Sequence, residues 1–190
     1  MGISINKVSG GSTPVVAPYK VFTGLVTQSG GDDIQFINLF SEPNTLVIGV
    51  TYQITGGDTG FDVTNVGAPN NDVGTWFIAT GTTPNWGDGG AELQYNNGAP
   101  TVTILENTLG NVWFSYFEKG WYANSNNLFL NGKVFVTSYS YYNQDKDNFI
   151  NCGVDIDQGT TESYLTYFNV DNNVDGRQAY KTPIEIRVYN

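Results

Sequence analysis

The chain reads as short β-prone runs separated by clusters of Gly, Asn, Asp, Ser and Pro, the pattern of an antiparallel sandwich or barrel. Period-two alternation is clearest near the C-terminus, where Ile184, Ile186 and Val188 alternate with Glu185, Arg187 and Tyr189. Such alternation sends one face of a strand to a core and the other to water. Tyr19 to Gln28 is a first strand, with Tyr19, Val21, Thr23, Leu25 and Thr27 on one face. Further strands are predicted at Asp33–Phe40, Leu46–Ile54, Thr75–Ala79, Glu92–Tyr95, Val102–Leu105, Val112–Glu118, Trp121–Ala123, Lys133–Tyr139, Phe149–Ile156 and Ser163–Val170. No window sustains an apolar stripe of helical period. At most a short helical turn is expected near Ser41–Asn44. The predicted fold is all-β, an antiparallel β-sandwich of jelly-roll-like type.

Two stretches stand apart from this rhythm. Residues 1–17 form an N-terminal arm, cut off from the rest by Gly10, Gly11, Ser12, Pro14 and Pro18. Its apolar residues, Ile3, Ile5, Val8, Val15 and Val16, are too few to build a core. They suit either a flexible tail or a strand added to a neighbour. Residues 56–98 are dominated by Gly, Asn, Asp, Thr and Pro and carry few aliphatics. A turn-rich β elaboration is therefore expected over about 45–98, inserted into one sandwich domain spanning 18–190. Within it, Phe61–Val66 and Trp76–Ala79 read as short strands joined by a turn.

Composition narrows the function more by what is missing than by what is present. At 190 residues and with 39% hydrophobic residues, the chain has enough apolar surface for a core without disulfides or metal. Its 23 Gly, 22 Asn and 14% aromatic residues take the place of charge and of helix formers. There is no His, which removes imidazole as base, shuttle or zinc ligand. The single Cys152 excludes an internal disulfide and any Cys-x-x-Cys site, and reads as a small core residue. A net charge of −10 and eight scattered basic residues argue against nucleic acid and anionic membranes as partners. No apolar run is long enough for a transmembrane helix, and the N-terminal stretch lacks a signal peptide's basic and apolar regions. Synthesis in a cytoplasm without an export signal is the expectation.

Candidate chemistry is sparse. Asp171-Asn172-Asn173-Val174-Asp175-Gly176 matches the first half of a calcium loop, but Thr182 stands where a bidentate Glu is needed. A turn between two strands accounts for it without a metal. The carboxylates Asp58, Asp62, Glu106 and Glu118 carry no spacing that marks a glycosidase pair. No catalytic, cofactor-binding or metal residue is assigned, and the protein is read as a non-enzyme. Trp86, in a Gly-rich loop, and Trp121 are candidates for exposure; Trp86 reads equally as a sugar-stacking ring, a protein contact or a loop anchor. Trp76 and Trp113, inside alternating strands, are expected in the core. Tyr139, Tyr141 and Tyr142 form a possible interface patch.

Several stretches resemble a known group of proteins. Tyr19–Gln28, Ile104–Trp113, Asn131–Val136 and Lys181–Tyr189 resemble segments of small virion-associated structural proteins of tailed bacteriophages, marine and crAss-like phages among them. Leu46–Tyr52, Phe61–Ala68 and Phe77–Pro84 resemble a short module of phage tail and virion proteins. The usual Lys-Thr pair of the third strand is replaced here by Gly132-Lys133-Val134, and residues 140–180 match nothing in the group. The resemblance implies a bacteriophage virion component: a capsid decoration protein, head fibre or tail part, homo-oligomeric and trimeric by shell symmetry. Its partners would be other virion proteins of the capsid, collar or tail. It implies no catalytic or cofactor residues. A glycan- or host-receptor-binding module of a phage fibre is the competing expectation, and it requires exposed aromatics beside Asn and Asp in a groove.

Overall fold

The computed structural model describes residues 18–28, 31–41, 43–117, 120–125, 129, 134–138, 150–154, 165–169 and 181–189. Among them are fourteen strands: β1 (Tyr19–Thr27), β2 (Ile34–Asn38), β3 (Thr51–Gly56), β4 (Phe61–Asp62), β5 (Trp76–Ile78), β6 (Asn85–Trp86), β7 (Glu92–Asn96), β8 (Thr101–Asn107), β9 (Val112–Phe117), β10 (Gly120–Ser125), β11 (Val134–Ser138), β12 (Ile150–Val154), β13 (Leu165–Asn169) and β14 (Thr182–Tyr189). The only helical element described is a 3-10 turn at Thr64–Val66. The fold is all-β and every strand pair is antiparallel. Among the described residues of the Ser41–Asn44 region there is no helix; Asn38 and Ser41 close a turn there instead.

Eight strands make the body, in two sheets of order β11-β14-β1-β8 and β12-β13-β10-β9. Alternation decides which side chains meet. Phe22 and Val26 of β1, Val102 of β8, and Ile184 and Ile186 of β14 point into one core with Phe114, Trp121 and Ala123 of the second sheet. The Phe22 and Phe114 rings meet across the sandwich, centroids 5.7 Å apart. Each such buried side chain contributes about 1.5–3 kcal/mol relative to exposure. Tyr19, Val21, Thr23, Leu25 and Thr27 share a face as predicted, and it is the outer, half-buried one. Gly24 stands on the inner face where the β1/β8 register shifts; a Cβ there would lie 3.1 Å from both the Thr103 carbonyl and Val102.

The inserted module is larger and better packed than its composition predicts. Its sheet has the order β2-β7-β3-β5, with β4 and β6 forming a separate pair. The strand at Asp33–Phe40, expected in the body, therefore belongs to the module: Ile34 to Asn38 pair with Asn96 to Glu92. The insertion begins just after β1 rather than at about 45. Phe61–Val66 is not one strand, since β4 ends at Asp62 and the 3-10 turn follows. Nor does it pair with β5, which lies beside β3; its partner is Asn85–Trp86. The module also has its own core: Ile37, Leu46, Tyr52, Ile54, Phe61, Val63, Val66, Ala68, Phe77, Ala79, Trp86, Ala91 and Leu93. Aromatic rings and alanines supply the burial that the scarce aliphatics do not.

The module is seated on the body. Val102 of β8 donates its N–H to the Gly49 carbonyl at 2.9 Å. Gly49 has φ +88°, and a Cβ there would lie 2.5 Å from the Val102 carbonyl, so only glycine allows this approach. Phe114 of β9 donates its N–H to Thr51 Oγ1 at 3.1 Å in a buried contact, and Asn111 Nδ2 donates to the Trp76 carbonyl at 2.8 Å. Ile78 of β5 joins the body core. Trp113 and Phe114 point to opposite sides of β9, yet both are buried, with the module's Ile78 in the same cluster.

Candidate functional site

The aromatics expected at the surface are largely inside. Trp86 is 6% exposed: its indole stacks on Phe61 at 6.4 Å and 28°, and Nε1–H donates to the Asn44 carbonyl at 2.9 Å. Trp121 is 3% exposed and meets Phe114 edge-on at 5.2 Å. The expectation that these two rings are exposed is thus corrected, because each fills a core. Trp113 is core as expected, and Trp76 is partly buried against the body core. Tyr139, Tyr141 and Tyr142 lie outside the described residues, as do the arm residues Ile3, Ile5, Val8, Val15 and Val16 and the turn Asp171–Gly176. Thr182, the last position of that would-be loop, is a buried strand residue opposite Val26.

Two of the candidate carboxylates, Asp58 and Asp62, serve turns. Asp58 Oδ2 accepts the Gly90 N–H, tying the β3–β4 turn to the turn that precedes β7. Asp62 Oδ1 accepts both the Thr64 N–H at 2.9 Å and the Thr64 hydroxyl at 2.7 Å, starting the 3-10 turn. Among the described residues no group of three or more acids and cysteines is placed to hold a metal. No helix among them is long and apolar enough to cross a membrane.

The Thr64 hydrogen bonds hold the Asp62 carboxyl below its usual range. A depressed folded-state value stabilises the native protein above the ordinary carboxylate pKa, and the gain is lost as pH falls through the lowered value. Asp62→Asn keeps an acceptor oxygen and removes the charge. The melting temperature of the wild type should exceed that of the variant at neutral pH, the gap closing as pH falls below the ordinary carboxylate range. A gap that does not change with pH in thermal melts would remove charge as the cause.

What the body does expose is an aromatic surface on the outer face of its first sheet. Tyr19 opens β1 opposite Tyr189 near the end of β14, ring centroids 5.4 Å apart. Arg187 lies over the Tyr19 ring at 4.9 Å and within 6.0 Å of the Phe135 ring on β11. A hydrogen bond to Tyr189 and pairing with Glu185 hold the guanidinium even more firmly in its charged form. Phe135 is 50% and Tyr189 39% exposed. Tyr, Phe and Arg are the residue types enriched in the cores of protein interfaces, and a cation held over aromatic faces adds attraction there. Sequence reading placed these residues on strands but did not join them, because β11, β14 and β1 come together only through sheet pairing.

No family model, curated protein or solved structure matches this chain.

Proposed function

We propose that the protein is a structural accessory of a bacteriophage virion, a capsid decoration, head-fibre or tail component that works by assembly and not by catalysis. The observation that supports this most is where the arm joins the body. Tyr19, two residues after the arm ends, lies within the exposed cluster of Tyr189, Arg187 and Phe135. The apolar residues that the sequence gives the arm, next in the chain to this aromatic face, suit docking on another virion protein. The resemblance of the strands to phage virion proteins supplies the context, and the acidic net charge of −10 suits a surface facing away from packaged DNA. In this reading the protein resides in the virion, is homotrimeric, and contacts neither nucleic acid nor membrane. The alternative, a glycan- or host-receptor-binding module, has lost Trp86 and Trp121 as stacking platforms.

Deleting residues 2–17 should leave the melting temperature of the body nearly unchanged and abolish incorporation into particles. Counting copies per virion by quantitative gel or mass spectrometry checks this. Normal incorporation of the truncated chain would move the docking surface off the arm, and unfolding would make the arm a core strand.

A further inference from the structure

Every sheet has edges, and an edge strand offers unpaired N–H and C=O groups unless something blocks it. In this protein most edges are managed. β9 is covered by the module through the Phe114 to Thr51 bond. β11 and β12, edges of the two body sheets, lie against each other. Just past the end of β5 the chain is held by the 3-10 turn, where Thr80 N–H donates to the Val66 carbonyl at 2.8 Å. β8 is interrupted where Leu105 falls between the pairs Ile104–Gly24 and Glu106–Thr23, a bulge with a charge beside it.

β2 is different. Its sequence, Ile34-Gln35-Phe36-Ile37-Asn38, has no charge, Pro or Gly, and among the described residues it pairs only with β7. Asn97 N–H donates to the Asp33 carbonyl, so Asp33, Gln35 and Ile37 face β7 with their backbone groups. Ile34, Phe36 and Asn38 direct theirs to the open edge. At Asn38 both groups are taken, the N–H by Ser41 Oγ at 2.9 Å and the carbonyl by the Ser41 N–H at 3.1 Å. Among the described residues that leaves the N–H and C=O of Ile34 and Phe36 open, their side chains 49% and 56% exposed.

We propose that this edge pairs with β2 of a second copy of the chain, as an antiparallel, twofold-symmetric extension of the module sheet. The pattern is self-complementary. With Gln35 opposite Gln35 on the axis, Ile34 of each copy faces Phe36 of the other, and the four open groups of each strand are all used. The ribbon ends where Ser41 occupies Asn38. Apolar Ile34–Phe36 pairs then cover each other on one face, a favourable cross-strand combination. Charge fits as well: although each chain carries −10, Asp33 of one copy falls opposite Ile37 of the other. The two Asp33 residues are then about 13 Å apart along the ribbon, beyond the screening length of about 8 Å. This contact involves neither the arm nor the aromatic face and stands independently of the virion assignment.

The test is sedimentation equilibrium on the full chain, with two edge variants and one cross-link. Phe36→Pro removes an outward N–H and leaves the bonds to β7 intact; Ile34→Lys sets a charge on the edge without altering the backbone. The wild type should have twice the mass of both variants. Gln35→Cys in a Cys152→Ser background should form a disulfide-linked dimer under mild oxidation, since axial residues lie about 4.5 Å apart between Cα atoms. Equal masses for wild type and Ile34→Lys, or no cross-link at position 35, overturn the proposal. Loss of the dimer on deleting residues 2–17 also overturns it, by showing that an arm occupies the edge.

Discussion

Replacing Trp86 with alanine is expected to destabilise the protein by about 3–5 kcal/mol, the cost of emptying a large buried aromatic site. The ring stacks on Phe61 inside the module core, and its N–H is held by the Asn44 carbonyl. Alanine removes the packing, leaves a cavity and deprives the Asn44 carbonyl of its donor. Trp86→Phe should cost less, since it keeps most of the apolar volume and loses the hydrogen bond. Urea unfolding with an unchanged denaturant slope measures both. Near-wild-type stability for Trp86→Ala, with loss of binding to a host polysaccharide, would show that the ring works at the surface and would restore the glycan reading.

Trp86 also shows how sequence context misleads. It sits in Pro84-Asn85-Trp86-Gly87-Asp88-Gly89-Gly90, a stretch that reads as an exposed, turn-rich loop. The glycines serve close packing. Gly87 has φ +65°, and a Cβ there would fall 2.5 Å from Asp58 Oδ1 and 2.6 Å from the Phe61 N. Glycine lets the backbone after Trp86 lie against that of Thr59–Phe61, and the same residue that suggests mobility permits close packing. The module core was missed for a related reason. Counting aliphatics overlooks Tyr52, Phe61, Phe77 and Trp86, the four largest side chains of that core, which come from strands only two to six residues long.

The body was far more legible. β1 and β14 alternate cleanly, and the structure pairs them residue for residue from Tyr19–Tyr189 to Val26–Thr182. The assignment of β2 failed because strand identity is local and strand partnership is not. Nothing in Ile34–Asn38 tells whether it will pair with a neighbour in sequence or with Glu92–Asn96. The exposed cluster at Tyr19, Tyr189, Arg187 and Phe135 was hidden by the same limit. Its one signal in the sequence was that Tyr19 and Tyr189 bracket the two strands with the strongest alternation.

Phe114→Ala is expected to be the most damaging single truncation, at about 3–5 kcal/mol from cavity formation, with about 0.5–1.5 kcal/mol more for each lost ring pair. Phe114 is fully buried between Phe22 of the opposite sheet and Trp121 of its neighbour, and its N–H is the buried donor to Thr51 of the module. Its ring fastens the two body sheets and its backbone fastens the module. Thr51→Val isolates the second role: the isosteric methyl cannot accept, which leaves a buried N–H unpaired at a cost of about 1–3 kcal/mol. The two substitutions share one residue's surroundings, so their effects should not add. A single cooperative transition in both variants would mean that body and module unfold together. If Thr51→Val instead splits the transition, with one part at the wild-type midpoint, the body folds without the module and the Phe114 N–H is the bond that couples them.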